Sequence, residues 1–130
     1  MNLVTRGAKF AVALAMAGAS VLGVAGSADA APGAPYLGYG HTTSGTGVWC
    51  VQHLVNDWLR LGGRSTIDED GQWGPKTDGA VRYFQQSILG SAQADGVVGP
   101  QTGNKLMNID WTDPYGGPDG SCRPFIPTTS

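Results

Sequence analysis

The sequence is poor in charge, and in positive charge above all. Its 130 residues include eight Lys or Arg and ten Asp or Glu, which gives a formal net charge of −2, and only 14% of the chain is charged. Proteins that bind nucleic acid or another polyphosphate gain most of their affinity by neutralising phosphates with a basic surface. The basic residues here are few and scattered, so the composition argues against nucleic acid as a partner.

Long apolar segments are also scarce. The longest, residues 10–24, has about fifteen residues, whereas a membrane-spanning helix needs about 20. It follows a positively charged start and precedes Ala-Asp-Ala at residues 28–30, the small-x-small pattern of a signal-peptidase site. We therefore predict that residues 1–30 are a signal peptide, that Ala31 is the first mature residue, and that the protein is secreted, extracellular or associated with the cell wall. An uncleaved membrane anchor is the alternative, and nothing beyond residue 30 is apolar enough to contact a membrane.

Cysteine is limited to Cys50 and Cys122, and histidine to His41 and His53. Export places cysteines where disulfides persist, so we predict a Cys50–Cys122 bridge. Two free thiols or a metal site are the alternatives. Zinc normally requires four ligands, and only the two histidines are available to complement the thiols. We expect no metal and no cofactor, and His53 is expected to lie on the surface of the first helix.

Three segments have apolar residues at three- and four-residue intervals, which indicates amphipathic helices. The predicted helices cover residues 48–61, 75–89 and 100–107. The apolar stripe of the second helix is Ala80, Val81, Phe84 and Ile88. The flanking segments are rich in Gly and Pro and lack periodicity, so residues 31–47 are predicted to be a flexible N-terminal arm and residues 108–130 a tail that the disulfide ties to the first helix.

An eight-residue pattern occurs twice, at residues 70–77 and 95–102. Each copy has the form Asp-Gly-x-apolar-Gly-Pro-x-Thr. The Asp can bond its own backbone and the first Gly tolerates positive φ, so each copy begins with a tight turn. Pro then starts a helix, at a position where its missing N–H costs nothing. The second Gly is expected to avoid crowding in the turn just before this Pro, so we predict that Gly74→Val destabilises the protein. The predicted fold is all-α: a small three-helix bundle built on two turn–helix repeats, with irregular arms and one disulfide.

Residues 48–106 resemble the peptidoglycan-binding domain of the three-helix type, which is found on many bacterial cell-wall hydrolases. The matching positions are Val48, Val51, Gln52, Val55, the first repeat, Ala80, Val81, Phe84, Gln85, the second repeat and Leu106. The resemblance implies a peptidoglycan-binding-like domain over residues 48–107. Two features depart from the family pattern. Gly103 stands where the family often has a bulky residue, and the first helix is about one turn longer than usual.

Catalytic residues cannot be assembled from this sequence. Asp68, Glu69 and Asp70 are adjacent, and a carboxyl group with a raised pKa could act in acid–base chemistry, but a solvated turn explains them as well. The zinc peptidases that carry modules of this family hold their metal in a separate domain. We therefore predict that the protein is not an enzyme.

Peptidoglycan offers apolar sugar faces, amides and carboxylates, which aromatic rings, amide side chains and Arg can contact. The candidate ligand-binding residues are Trp49, Gln52, Arg82, Tyr83 and Gln86. Trp73 and Phe84 are expected in the core instead, and Gln85 is expected to hold the backbone of a loop.

The predicted function is that of a secreted, non-catalytic, monomeric module that binds peptidoglycan and works alongside a cell-wall enzyme. The alternative is a secreted interaction protein, such as an inhibitor, assembly factor or matrix component, that reuses the fold. A resemblance in fold does not separate the two.

Overall fold

The computed structural model describes residues 33–129. Within this range the chain forms three α-helices, α1 (Thr46–Leu61), α2 (Pro75–Ile88) and α3 (Pro100–Met107), and no β-strand. The prediction of an all-α, three-helix fold is confirmed. None of the helices in the described range has the length and apolar character needed to span a bilayer.

The predicted signal peptide, residues 1–30, and the predicted mature N-terminus at Ala31 lie outside the described residues. Two short 3-10 helices, Ser91–Gln93 and Arg123–Phe125, complete the regular structure of the described range.

The helix boundaries lie close to those expected from the sequence. Helix α1 begins at Thr46, two residues before the predicted start, because the Trp49 N–H donates to the carbonyl of Gly45 at 3.0 Å and so adds part of a turn. The positive φ of 107° at Gly45 marks the break with the preceding arm. Helices α2 and α3 each begin with proline after an extended glycine, as the repeat predicts.

The three helices share one core, and α1 supplies the largest part of it. Its fully buried apolar residues are Val48, Cys50, Val51, Leu54 and Val55. Trp73 and Phe84 are buried, at 7% and 1% exposure, which confirms their expected place in the core. Ile88 was expected on the same stripe, but it is 43% exposed. The stripe ends early because Ile88 is the last residue of α2 and borders an open groove beside Leu61.

The N-terminal arm is irregular, as predicted, but it is packed against both repeats rather than free of the core. Leu37 is 1% exposed and exchanges two backbone hydrogen bonds with Val98 of the second repeat, at 3.1 and 2.8 Å. Farther along the arm, the Trp73 N–H of the first repeat donates to the Thr43 carbonyl at 2.8 Å. The arm therefore spans the two turns.

The C-terminal tail is tied to α1 by the predicted disulfide. Cys50 and Cys122 are bridged, with their Cα atoms 5.6 Å apart, although they are 72 positions apart in the sequence. The tail continues across α3, where Ile126 is fully buried. A Cβ atom on Gly103 would overlap the Pro127 carbonyl oxygen, so the absence of a side chain at Gly103 makes room for the tail. One departure from the family pattern thus has a local packing reason.

Candidate functional site

A buried glutamine from the preceding helix holds each repeat in place. In the first repeat, Gln52 Oε1 accepts from the Gly71 N–H at 2.8 Å. Its Nε2 donates to Asp70 Oδ1 at 3.0 Å, to the Gln72 carbonyl at 2.9 Å and to Thr77 Oγ1 at 3.0 Å. Both ends of the amide are therefore engaged by the turn.

The second repeat has the same arrangement around Gln85. Its Oε1 accepts from the Gly96 N–H at 2.9 Å, and its Nε2 donates to Asp95 Oδ1, the Val97 carbonyl and Thr102 Oγ1 at 3.1, 2.9 and 3.1 Å. The expectation that Gln85 holds a loop backbone is confirmed.

Gln52 was placed among the ligand-binding candidates, and its environment argues against that assignment. Its side chain is 1% exposed and all its polar atoms are used by the first repeat. Gln85 makes the same contacts in the second repeat, so each repeat consists of a turn and a glutamine of the preceding helix that stabilises it.

Trp49, on the first turn of α1, lines an open cleft of about 450 Å³. The other walls are Gly45, Thr46, Glu69, Asp70, Gly71 and Gln72. The indole stacks on His53, with ring centroids 4.9 Å apart and planes 11° apart, and meets Tyr115 edge-on at 5.0 Å. These two contacts fix the orientation of a half-buried aromatic ring at the edge of a polar cleft.

Beneath this aromatic group lies a cluster of ionisable side chains, which we call the His53 cluster: His53, Asp57, Glu69 and Asp113. His53 Nδ1 is 3.0 Å from Glu69 Oε1, and its Nε2 is 2.7 Å from Asp113 Oδ2. Asp57 lies one helical turn after His53, and donor atoms of His53, Asp57 and Asp113 all lie within 4.8 Å of one another. The imidazole thus joins α1 to the loop before the first repeat and to the tail.

The loop that carries Glu69 is itself fixed by Asn56. The Asn56 amide donates to the Ile67 carbonyl and to Glu69 Oε2, both at 2.8 Å, and its Oδ1 accepts from the Ile67 N–H at 2.9 Å. Asn56 is 2% exposed, so these bonds are sheltered from water. Glu69 is therefore held in position on both of its oxygens.

The pKa values in the cluster reflect these contacts. Burial opposes protonation of His53, but hydrogen bonds to Glu69 and Asp113 outweigh it, so the pKa of His53 is raised. Burial likewise disfavours the charged form of Glu69, yet hydrogen bonds from Asn56 and His53 lower its pKa. The pKa of Asp113 is also lowered, because hydrogen bonds, including one from the Tyr115 N–H, outweigh its burial.

Asp57 differs from the other carboxylates. Burial, together with the neighbouring Asp113 carboxyl group, raises the pKa of Asp57 to about 6, although a hydrogen bond from Arg60 acts in the opposite direction. Arg60 contacts Asp57 Oδ1 at 2.6 Å, whereas Oδ2 is buried and has no donor. The neighbouring Asp113 carboxyl group therefore disfavours ionisation of Asp57, and a proton or a cation between the two groups would relieve their repulsion.

The predicted α2 candidates do not form one site with Trp49 in the described range. Arg82 is paired with Asp78 at 2.9 Å and donates to the Ala94 carbonyl at 3.1 Å, so it supports the loop before the second repeat. Tyr83 packs against Trp58, with ring centroids 5.2 Å apart, and lies under the guanidinium of Arg64. Gln86 is exposed on α2.

Comparison with protein families supports the sequence-based assignment. Residues 53–106 match the family model for a peptidoglycan binding domain. This segment is similar to a peptidoglycan-binding domain. No curated protein and no solved structure matches the chain.

The peptidoglycan-binding-like segment contains both turns, but not the whole of the Trp49 cleft or the His53 cluster. Trp49 precedes the matched residues, and Asp113 and Tyr115 follow them. Sequence reasoning assigned His53 to the surface, which is wrong: its side chain is 16% exposed and is enclosed by two rings and two carboxylates. No local signal joins His53 to Asp113, because 60 positions separate them.

Proposed function

We propose that this protein binds bacterial cell-wall peptidoglycan through the Trp49 cleft, as a secreted and non-catalytic module. The similarity of residues 53–106 to a peptidoglycan-binding domain supports the ligand class. The single observation that carries the choice of surface is a half-buried indole, held by two ring contacts, at the edge of a polar cleft of about 450 Å³.

The chemistry of the cleft favours the glycan strand over the carboxylate ends of the stem peptides. An oriented indole offers an apolar face to a sugar ring, and the carboxylates of Glu69 and Asp70 accept hydrogen bonds from hydroxyl and amide groups. The same carboxylates repel anionic ligand groups. Arg82, which was expected to bind a carboxylate, is already paired with Asp78.

Retention on the wall should accordingly depend little on salt. The net charge is −2, and the cleft has no basic residue among its lining residues. Several hundred millimolar salt shortens the Debye length to about 5 Å and weakens binding that depends on charge neutralisation, but not sugar stacking or hydrogen bonding. Co-sedimentation of the purified protein with insoluble sacculi at low and high salt measures this directly.

Variants of Trp49 locate the contact surface. Trp49→Ala should lower the affinity for sacculi about tenfold or more, as expected when a central aromatic contact is lost, and Trp49→Phe should lower it less. Trp111→Ala is the matched control, because Trp111 is 65% exposed and does not line the cleft. Melting temperatures of all three variants separate lost binding from lost folding.

Variants on α2 test the alternative surface. If Arg82→Ala or Tyr83→Ala weakens retention while Trp49→Ala does not, the contact lies on α2 and the Trp49 cleft is the wrong choice. If the protein fails to sediment with sacculi of several wall chemistries, the interaction-protein function is favoured instead. Release of soluble muropeptides by the pure protein would contradict a non-catalytic role.

Export is part of the same proposal and is tested separately. The charged start, apolar run and Ala-Asp-Ala pattern of residues 1–30 support it. The mass of the protein recovered from culture medium or wall fractions should correspond to a chain that begins at Ala31. A mass that includes residues 1–30 would contradict cleavage.

A further inference from the structure

Contrary to the sequence-based expectation of no metal, we propose that His53, Asp57 and Asp113 form a binding site for a divalent transition metal ion such as Zn²⁺. The three side chains offer one imidazole nitrogen and two carboxylate oxygens within 4.8 Å of one another. They come from α1 and from the C-terminal tail, so an ion held there joins the two segments independently of the disulfide.

The strongest argument is the unpartnered oxygen of Asp57. The Asp57 side chain is 8% exposed, and its Oδ2 atom has no hydrogen-bond donor. Its other oxygen is taken by Arg60. A buried carboxylate oxygen without a donor is costly, and either a proton shared with Asp113 or coordination of a cation satisfies it.

Glu69 and Asn56 supply the supporting shell that metal-bound histidines normally have. In protein metal sites, the ring nitrogen that does not bind the ion donates to a carboxylate or carbonyl, which fixes the tautomer and the ring orientation. Here His53 Nδ1 lies 3.0 Å from Glu69 Oε1, and Asn56 holds the other Glu69 oxygen at 2.8 Å. This arrangement directs Nε2 toward Asp113 and the ion.

The donor set distinguishes among metals. Imidazole suits Zn²⁺, Cu²⁺ and Ni²⁺, whereas Mg²⁺ and Ca²⁺ are bound by oxygen ligands. One imidazole and two carboxylates give three protein ligands, which leaves the fourth tetrahedral position to water. The stacked Trp49 and edge-on Tyr115 rings restrict the imidazole to one plane and so preorganise the site.

The donor separations lie on either side of the value expected for a tetrahedral zinc site. Ligand atoms about 2.1 Å from a tetrahedral Zn²⁺ ion lie about 3.4 Å from one another. The 2.7 Å separation of His53 Nε2 and Asp113 Oδ2 is shorter than this, and the 4.8 Å limit for the three donors is longer. Binding of one Zn²⁺ ion by both side chains therefore requires His53 Nε2 and Asp113 Oδ2 to move apart, and the ion replaces their direct hydrogen bond.

Calorimetric titration of the tag-free full chain with Zn²⁺ at neutral pH tests the proposal. We expect one ion per chain and a rise of several degrees in melting temperature, since a ligand that binds only the folded state stabilises it. Glu69→Gln should weaken binding about 10- to 100-fold without removing a ligand. Mg²⁺ at the same concentration should cause no shift.

Two ligand variants and one control make the result specific. His53→Ala and Asp57→Asn should abolish the Zn²⁺-induced shift, whereas His41→Ala should leave it unchanged, because His41 lies on the N-terminal arm and is exposed. Asp57→Asn is nearly isosteric and removes the repulsion from Asp113, so it should raise the melting temperature of the metal-free protein. A variant that no longer responds to Zn²⁺ but melts at a higher temperature than the wild type has lost a metal ligand and kept its fold.

The contrary outcomes are equally definite. If Zn²⁺ does not bind the wild-type chain while Asp57→Asn still raises the melting temperature, a proton joins Asp57 and Asp113 and there is no metal site. Binding that survives Asp57→Asn within about threefold, or that is lost in His41→Ala, also overturns the proposal. These measurements require no peptidoglycan, so they do not depend on the proposed function.

Discussion

The two repeats have the same internal hydrogen bonds and different surroundings. Gln52 and Gln85 each contact the Asp, Gly and Thr of their repeat, at distances that agree within about 0.1 Å. A second cleft of the first repeat, distinct from the Trp49 cleft, lies at the start of α2 and has a volume of about 430 Å³. The equivalent cleft of the second repeat, at the start of α3, has a volume of about 220 Å³. Tyr36 of the N-terminal arm lines only the smaller cleft.

The comparison separates what is repeated from what is particular to one copy. The glutamine-held turn is a folding device, because its polar atoms are directed inward and engaged. The Trp49 cleft and the His53 cluster adjoin the first repeat alone, where Glu69 leads into the turn and Tyr115 approaches from the tail. The proposed binding surface therefore lies beside the first copy of the repeated turn.

The largest expected loss of stability comes from a substitution in the core between the two repeats. Phe84 is 1% exposed on α2, the helix that begins in the first repeat and precedes the second, so Phe84→Ala should destabilise the protein by about 3–5 kcal/mol. Ile88→Ala, on the same helix but at a 43% exposed position, should cost less than about 1 kcal/mol. Denaturant unfolding of both variants checks the contrast, and equal losses would mean that the core is assigned wrongly.

The equivalence of the two turns is tested by removing each glutamine. Gln52→Ala and Gln85→Ala each leave a buried glycine N–H without an acceptor, which should cost about 2–3 kcal/mol in either repeat. Unfolding free energies of the two variants should agree within about 1 kcal/mol. A loss confined to one of them would show that the repeats are not energetically equivalent.

The pH dependence of stability should come from the first repeat's neighbourhood. Asp57 has a raised pKa of about 6, so the folded state holds its proton more tightly and stability falls as pH rises from about 4 through 6. The raised pKa of His53 acts in the same sense: its contribution is complete below about 6.5 and is lost as pH rises through the folded-state value. Glu69 and Asp113, whose pKa values are lowered, contribute above about 4.5 and lose that contribution in acid.

Between pH 5 and pH 8 the melting temperature should therefore fall by a few degrees in the presence of a chelator. Asp57→Asn should make this fall in melting temperature smaller, because the variant lacks the carboxyl group whose ionisation is disfavoured in the folded state. Melting curves at the two pH values decide the matter. An unchanged slope in Asp57→Asn would assign the pH dependence to other groups.

The smallest effect concerns the paired glycines before α2 and α3. A Cβ atom at Gly74 meets nothing within 4 Å and φ there is −131°, so the crowding expected from the sequence is absent, and Gly74→Ala should change stability by less than about 1 kcal/mol. A Cβ atom at Gly99 comes within 3.1 Å of the Tyr36 ring. Gly99→Ala should displace this 46% exposed ring and cost more than Gly74→Ala, and denaturant unfolding of the two variants measures the difference.

Local signals made much of the fold predictable. The turns form as the pattern requires: Gly71 and Gly96 have φ of 72° and 76°, and each preceding Asp accepts from a backbone N–H two residues later. The start of α3 and its end at Met107 also follow from proline and periodicity. The aromatic part of the core was recognisable because Trp73 and Phe84 occur at apolar positions of these patterns.

The site was less predictable, since its members are brought together by the path of the chain. Trp49 could be proposed as an aromatic on a helix, but its stacking on His53 and its contact with Tyr115 depend on where the tail returns. Gln52 was placed among the ligand-binding candidates because glutamine suits both a ligand contact and a buried support. Only its 1% exposure separates the two.

The sequence by itself determined the features that depend on a few neighbouring residues. These are the turns at Asp-Gly, the helix starts at Gly-Pro and the apolar stripes with helical spacing. Tertiary structure alone decided which polar groups are buried together. His53 meets Asp113 across 60 positions, and Gly103 accommodates Pro127, because the Cys50–Cys122 bridge returns the tail to α1. Such contacts depend on distances between remote segments, which dihedral preferences and short-range hydrogen bonds do not specify.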